Sequence, residues 1–223
     1  MDVTNSRTLS EIVRSSSIIH IYGAGLNTQR PAHTAVKELS DRGWAIAPIH
    51  PRDAGATIEG FPIRPKLDEG VNPEIVVIFL APERARSVVK RLIISINPEK
   101  FPLIWFQHGA EDDDSISALN ELGAKYVQDD CIVRYTERND YHCENSILPQ
   151  LWCLQVRSPE EDGCSIWSVH SSNECEIRVP ANNLEWVGSL NDLKNSQSTI
   201  PRYIRSLKTG TESLDELVIR LAN

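Results

Sequence analysis

Two short stretches carry residues that could do chemistry together. The first is Gly23-Ala24-Gly25, set between an apolar run (Ile18, Ile19, Ile21) and a stretch with helical character that opens at Arg30-Pro31. A glycine turn between strand and helix lets backbone N–H groups approach a pyrophosphate, aided by the helix dipole. Arg30 could add a forked, charge-assisted contact to a phosphate. Glycine turns also join strands to helices for steric reasons alone, so this stretch does not name a ligand. The second is His50-Pro51-Arg52, at the end of the next apolar run. An acidic residue at that point, about 20 residues beyond the glycines, would hold the ribose hydroxyls of an unmodified dinucleotide. Arg52 cannot do so, but it suits a ribose that bears its own phosphate. A pyrophosphate combined with a ribose phosphate leaves NADP and coenzyme A as ligands.

These residues need elements to hold them. Ile18 to Tyr22 reads as the first strand, and Pro31 suits the first position of a helix whose apolar stripe is Ala35, Val36 and Leu39 and which ends at Gly43. Trp44 to Ile49 is the second strand. A Pro- and Gly-rich stretch follows, with one short strand expected at Ile63 and a helical turn near Leu67. Ile75 to Leu80 is an uninterrupted run suited to a strand buried on both faces of a parallel sheet. A helix over Glu83 to Ser95, a strand over Leu103 to Phe106, a helix over Asp113 to Leu122 and a short strand at Tyr126-Val127 complete the alternation. That pattern predicts an α/β fold, a doubly wound parallel sheet, whose ligands bind at the carboxyl ends of the strands. Thr8 to Glu11 fits a capping box for a short leading helix.

Beyond residue 140 the pattern changes. SIWSVHSS and ECEIRVP read as strands, a helix starts at Ser198-Thr199, and Ser213 with Glu216 forms a capping box for a last helix. The expected organisation is a Rossmann-like domain over 1–142 and a small α+β extension over 143–223. Trp152, Trp167 and Trp186 are expected to build the local core or to dock the extension onto the sheet. Arg202, Arg205 and Lys208 fall on one helical face and could meet an acidic protein partner, although a solvated face is the ordinary reading.

Composition sets further bounds. With 40% hydrophobic residues over 223 positions the chain can bury a core. A net charge of -8 and a pI near 5.3 argue against a nucleic-acid surface. No apolar run approaches the roughly 18 residues of a membrane span, and MDVTNSRTLSEIV lacks the apolar core of a signal peptide. A cytoplasmic protein is expected. The five cysteines contain no CxxC pair and read as free thiols. His142, Cys143, Cys153, Cys164, His170 and Cys175 lack the paired spacing of a zinc site, so no metal is assigned.

The sequence resembles the small CoA-binding domain family, whose relatives include the CoA-binding domain of the succinyl-CoA ligase alpha chain. The resemblance spans about residues 8–140. It rests on GAGLNTQRP, on APIHPRDAGATIEGFPIRPKLDE against the family's V-P-V-N-P stretch, and on VVIFLAPERA, WFQHGAED and GAKYVQDDCIV, in matching order and spacing. It implies CoA or an acyl-CoA as ligand. The phosphates would lie at Gly23, Ala24, Gly25, Arg30 and Pro31, and the adenosine end near His50, Pro51, Arg52, Leu80, Ala81 and Pro82. The pantetheine would run toward Gln107, His108 and Gly109. Four positions depart from the family pattern: Gly25 and Ala32 replace serines, His50 an asparagine, and Asp130 an arginine. Cys131 matches the family's late cysteine and reads as a small core thiol. CoA ligases of the succinyl type carry phosphate on a histidine in a second domain, and nothing after residue 140 resembles that domain. No catalytic residue is therefore assigned. The alternatives are an NADP-dependent oxidoreductase, and a scaffold protein that keeps the fold without the ligand.

Overall fold

The computed structural model describes residues 1–4, 6–160 and 163–222. The first part of the chain runs α1 (Arg7–Ser15), β1 (Ile18–Tyr22), α2 (Pro31–Ser40), β2 (Ala45–Ile49), β3 (Thr57–Ile58) and β4 (Phe61–Pro62). It continues through β5 (Ile75–Ile78), α3 (Pro82–Ser95), β6 (Leu103–Phe106), α4 (Asp113–Leu122), β7 (Tyr126–Val127) and α5 (Ile132–Arg138). Last come β8 (Leu151–Arg157), β9 (Ser165–Ser171), β10 (Leu184–Ser189), α6 (Leu190–Asn195), α7 (Thr199–Ser206) and α8 (Leu214–Ala222). Packing divides them into two compact units that do not follow chain order. One comprises residues 1–48 and 72–148, the other 49–71 and 149–223.

The first unit is the doubly wound α/β fold. Its five-stranded sheet has the order β2-β1-β5-β6-β7. β5 runs parallel to β1, with Ile19 beside Ile75 and Tyr22 beside Ile78, and parallel to β6, with Ile75 beside Leu103. Every residue of β1, β2, β5 and β6 is buried. That is why the sequence reads there as continuous apolar runs rather than alternation. The helices bury one stripe each: Ala35, Val36 and Leu39 on α2, and Ala85, Val89 and Leu92 on α3. After β2 the chain crosses to the far side of β1 to form β5. The reversal of strand order therefore falls between β1 and β5.

The second unit is an antiparallel sheet of order β10-β8-β9 with the β3–β4 hairpin and helices α6, α7 and α8. The hairpin turns on Glu59 and Gly60, both at positive φ (50° and 75°), the conformation a two-residue hairpin favours. Cys153, Trp186, Leu193, Ile204, Leu217 and Val218 form the core. Trp167 packs on this core and stacks on Trp186 with ring centroids 6.0 Å apart, and Trp152 is fully buried. A buried ion pair ties its two chain segments together. Arg64 Nε and Nη2 donate to Asp192 Oδ2 at 2.8 and 2.6 Å. The same oxygen accepts from Ser189 N and Oγ, closing the capping box of α6.

Several local expectations need correction. α1 is capped by Ser6, whose hydroxyl accepts from Leu9 N, and not by Thr8. No helical turn forms near Leu67. The strand expected at Ile63 is instead the hairpin just before it, with Arg64 bridging Ile49. ECEIRVP alternates as a strand should but joins no ladder. Ile177 satisfies its backbone on Thr57 alone, donating to the hydroxyl at 2.8 Å and accepting from the amide at 2.7 Å. β9 pairs with Leu151–Arg157, which pairs on its other edge with Leu184–Ser189, and neither of these strands was expected. α5 and α6 were also missed, because seven and six residues are too few to show a period. The final capping box is present: Ser213 N donates to Glu216 and Glu216 N to Ser213 Oγ. In α7, Arg205 donates to the Leu193 carbonyl, so only Arg202 and Lys208 of the basic trio are exposed.

Candidate functional site

In the first unit the residues that point to phosphate chemistry gather at the carboxyl edge of the sheet. Gly23 to Gly25 leave the end of β1, and Leu80 to Pro82 leave the end of β5. These two loops flank the reversal of strand order, where open α/β sheets bind their ligands. Gly23 is required here by geometry. Its φ is +96°, and a Cβ on it would sit 2.6 Å from the Phe79 carbonyl oxygen. The turn therefore brings the backbone after β1 hard against the end of β5, which a side chain would prevent.

The loop then builds the start of α2. Gln29 N donates to Asn27 Oδ1 at 3.0 Å and Arg30 N to the Asn27 carbonyl at 3.0 Å, forming a side-chain-assisted turn. Arg30 occupies the cap position without capping through its side chain, and Pro31 is the first helical residue. Among the described residues the exposed Arg30 guanidinium has no hydrogen-bond or ion-pair partner. A free cation thus stands at the positive end of a ten-residue helix, an arrangement that favours an anion. His33, one turn into α2, places Nδ1 2.8 Å from the Gly25 carbonyl. The carbonyl can only accept, so that contact assigns the proton to Nδ1 and leaves Nε2 as an acceptor when the ring is neutral. α3 starts in the same way, with Ala81 at its cap and Pro82 in its first turn.

The loop after β6 has two faces. Gln107 is buried and turned inward: its amide nitrogen lies 3.5 Å from Cys131 Sγ and its oxygen accepts from Ile132 N at 3.3 Å. It thereby covers the start of α5. His108 and Gly109 are exposed, and Gly109 has φ +85° with open space around it. His108, Glu111 and Asp129 bring one donor atom each within 4.8 Å of one another. Both Glu111 oxygens already accept backbone N–H groups, from Gly109 at 2.6 Å and Asp129 at 3.2 Å. Nearby, Asp112 caps α4 and is gripped by Arg86 at 2.6 to 3.1 Å, which holds its carboxyl at about 2. That pair links the start of α4 to α3, and sequence reasoning missed it because Arg86 is one of several charges on an exposed helix face.

The family departures have local explanations. Asp130, where an arginine is usual, is paired with both terminal nitrogens of Arg138 and accepts from Cys131 N at 2.8 Å. Its charge is thus neutralised within the chain. Ala32 is buried and Gly25 offers only its backbone, so neither supplies the hydroxyl that a serine would. All five cysteines are free thiols; Cys153 is buried, and desolvation pushes its thiol far up. Among the described residues, none of the six histidines and cysteines considered for zinc takes part in a metal-sized cluster.

His50, Pro51 and Arg52 follow β2 in the chain and belong to the second unit. His50 Nδ1 lies 3.0 Å from Asp53 Oδ2, and Asp53 N donates to the His50 carbonyl, so a tight turn presents Arg52. Arg52 is exposed and, among the described residues, unpaired.

Comparison with solved structures supports the fold. The chain is similar to a hypothetical protein from Pyrococcus horikoshii OT3, at 24% identity and a TM-score of 0.52, over 59% of this chain and 89% of that one. It is similar too to the cell-free ID.343 structure from Thermus thermophilus, at 24% identity and a TM-score of 0.52, over 59% of this chain and 96% of that one. The family model of the CoA binding domain matches residues 17–136, so that the loops after β1, β5 and β6 lie wholly inside the match, and the chain belongs to that family.

Proposed function

We propose that this protein binds coenzyme A or an acyl-CoA. One observation carries the reading: in a chain of this family, the sheet reverses its strand order between β1 and β5, with the Gly23 turn and the Leu80 loop on either side. The pyrophosphate is received by the backbone of Gly23, Ala24 and Gly25, by the start of α2 and by the Arg30 guanidinium. Leu80, Ala81 and Pro82 take the adenosine side at the end of β5. Arg52, with no acid to neutralise it, answers the ribose phosphate. His108 and Gly109, exposed after β6, guide the pantetheine, and Gln107 holds the α5 start that carries Cys131. Nothing in this arrangement requires a covalent step, and binding rather than turnover is the reading it supports. Among the described residues no helix is long and apolar enough to cross a membrane.

Isothermal titration with CoA, dephospho-CoA and NADP in parallel tests this, with CoA repeated on Arg52→Ala. The reading expects CoA to bind, and to bind less tightly once either the 3′-phosphate or Arg52 is removed. Binding of NADP without CoA would move the search to hydride transfer. No heat from any of the three would mean a retained fold with another role.

A further inference from the structure

Two loops of the first unit bring an imidazole and two carboxylates to one place. His108 and Glu111 come from the loop after β6 and Asp129 from the loop after β7. One donor atom of each lies within 4.8 Å of the other two. Spacing in the sequence does not signal the set, because Asp129 follows Glu111 by 18 residues and sits on a different loop.

Glu111 fixes the geometry. One of its oxygens accepts from Gly109 N at 2.6 Å and the other from Asp129 N at 3.2 Å, which holds the two loops against each other. An ionised carboxylate has about four lone-pair sites, so each oxygen keeps one for a further partner. The His108 imidazole and the Asp129 carboxylate make no hydrogen bond or ion pair among the described residues. His108 and Asp129 are exposed, and the space beside Gly109 is open, so an ion can enter from solvent.

Charge separates these two acids from their neighbours in the chain. Asp112, next to Glu111, is gripped by Arg86, and Asp130, next to Asp129, is paired with Arg138. Glu111 and Asp129 have no Lys or Arg partner among the described residues. One acid of each adjacent pair is thus neutralised within the chain and the other is not. Two close anions without a counter-ion repel each other, and a divalent cation between them turns that repulsion into attraction.

We propose that His108, Glu111 and Asp129 hold a divalent transition-metal ion, with water on its remaining positions. The donor set selects the ion: carboxylates alone suit Mg²⁺ or Ca²⁺, whereas an imidazole favours ions such as Co²⁺ or Zn²⁺. Three protein ligands leave a position open, as catalytic and ligand-binding metal sites do. The site lies on loops at the carboxyl edge of the sheet, where α/β folds receive ligands. An ion there is placed to take an oxygen of a bound small molecule as a further ligand. Metal binding by these side chains does not require CoA.

The test is titration of the full chain, first stripped with a chelator, with Co²⁺, followed by calorimetry and visible absorption, on the wild type, His108→Ala and Asp129→Asn. Both side chains are exposed, so melts of the stripped variants should match the wild type. One Co²⁺ per chain is expected to bind the wild type, to raise its melting temperature and to show no sulfur-to-cobalt charge-transfer band. Mg²⁺ should bind more weakly. Each substitution should weaken Co²⁺ binding about tenfold or more, since loss of a partner that merely supports a ligand already costs about 10–100-fold. No binding, wild-type affinity in either variant, or a charge-transfer band reporting one of the five free thiols overturns the proposal.

Discussion

The Arg64–Asp192 pair is where a single substitution should report most on the second unit. Both side chains are almost fully buried, at 4% and 7% exposure, and one carboxylate oxygen takes two bonds from the guanidinium and two from Ser189. Arg64→Met removes the cation and leaves a buried anion that keeps its two bonds from Ser189. Breaking one side of such a pair costs about 3–5 kcal/mol, and the surviving Ser189 bonds place the expectation near the lower end, about 3 kcal/mol. Asp192→Leu strands the guanidinium instead and also opens the capping box of α6. Loss of a cap adds about 1 kcal/mol, so the expected cost is about 4–6 kcal/mol. In the double variant no charge is left buried, and the loss should fall well below the sum of the two. Urea unfolding, followed by tryptophan fluorescence and circular dichroism, gives all three values. Single losses below about 1 kcal/mol, or strict additivity in the double variant, would refute the claim that this pair clamps residues 49–71 to the C-terminal residues.

Other predictions concern the first unit and the thiols. Gly23→Ala should destabilise the protein by about 2 kcal/mol or more, because a left-handed backbone costs about 1–2 kcal/mol for a residue with a Cβ, before the clash at Phe79 is counted; thermal melts measure it, and CoA binding should fall in parallel. The Asp112 carboxyl is held at about 2 by Arg86, so its folded value lies below its unfolded one. Its contribution to stability is present above about pH 4 and is lost as pH falls toward 2. Arg86→Ala should flatten that part of the acid-unfolding profile, which stability measured from pH 5 to 2 would show. Cys164 is exposed whereas Cys153 is buried with its thiol pushed up. Under native conditions a maleimide should label Cys164 early and leave Cys153 unmodified until the chain unfolds, as read by mass spectrometry.

The sheet was legible because its strands are buried on both faces. Ile75 to Ile78 and Leu103 to Phe106 are apolar at every position, and no helix among the described residues reads that way. The glycine turn and Pro31 marked the start of α2 for equally local reasons. What stayed hidden depended on partners far along the chain. ECEIRVP has the alternation of a strand, but its first residues turn back on the Ser171 carbonyl, and Ile177 bonds to Thr57, 120 residues earlier. Leu151–Arg157 buries Trp152 and Cys153 side by side, which obscures the two-residue period. Among the site residues, Gly23, Arg30 and Arg52 could be read from type and position. The cleft lined by parts of 51–68 and 180–200 could not, since only the packing of the second unit brings those stretches together.

The division of the second unit between residues 49–71 and 149–223 has a consequence for biosynthesis. Arg64 leaves the ribosome 128 residues before Asp192. At about 5–20 residues per second, it waits roughly 6–25 s for its counter-ion. During that interval the hairpin segment is a long loop lying between β2 and β5, with its buried positions Ile58, Phe61 and Ile63 lacking their eventual cover. A nascent chain stalled before residue 149 should therefore be more open to protease at residues 49–71 than the finished protein, and more apt to engage a chaperone there. Completion of the C-terminal segment would act as the step that closes the vulnerable window.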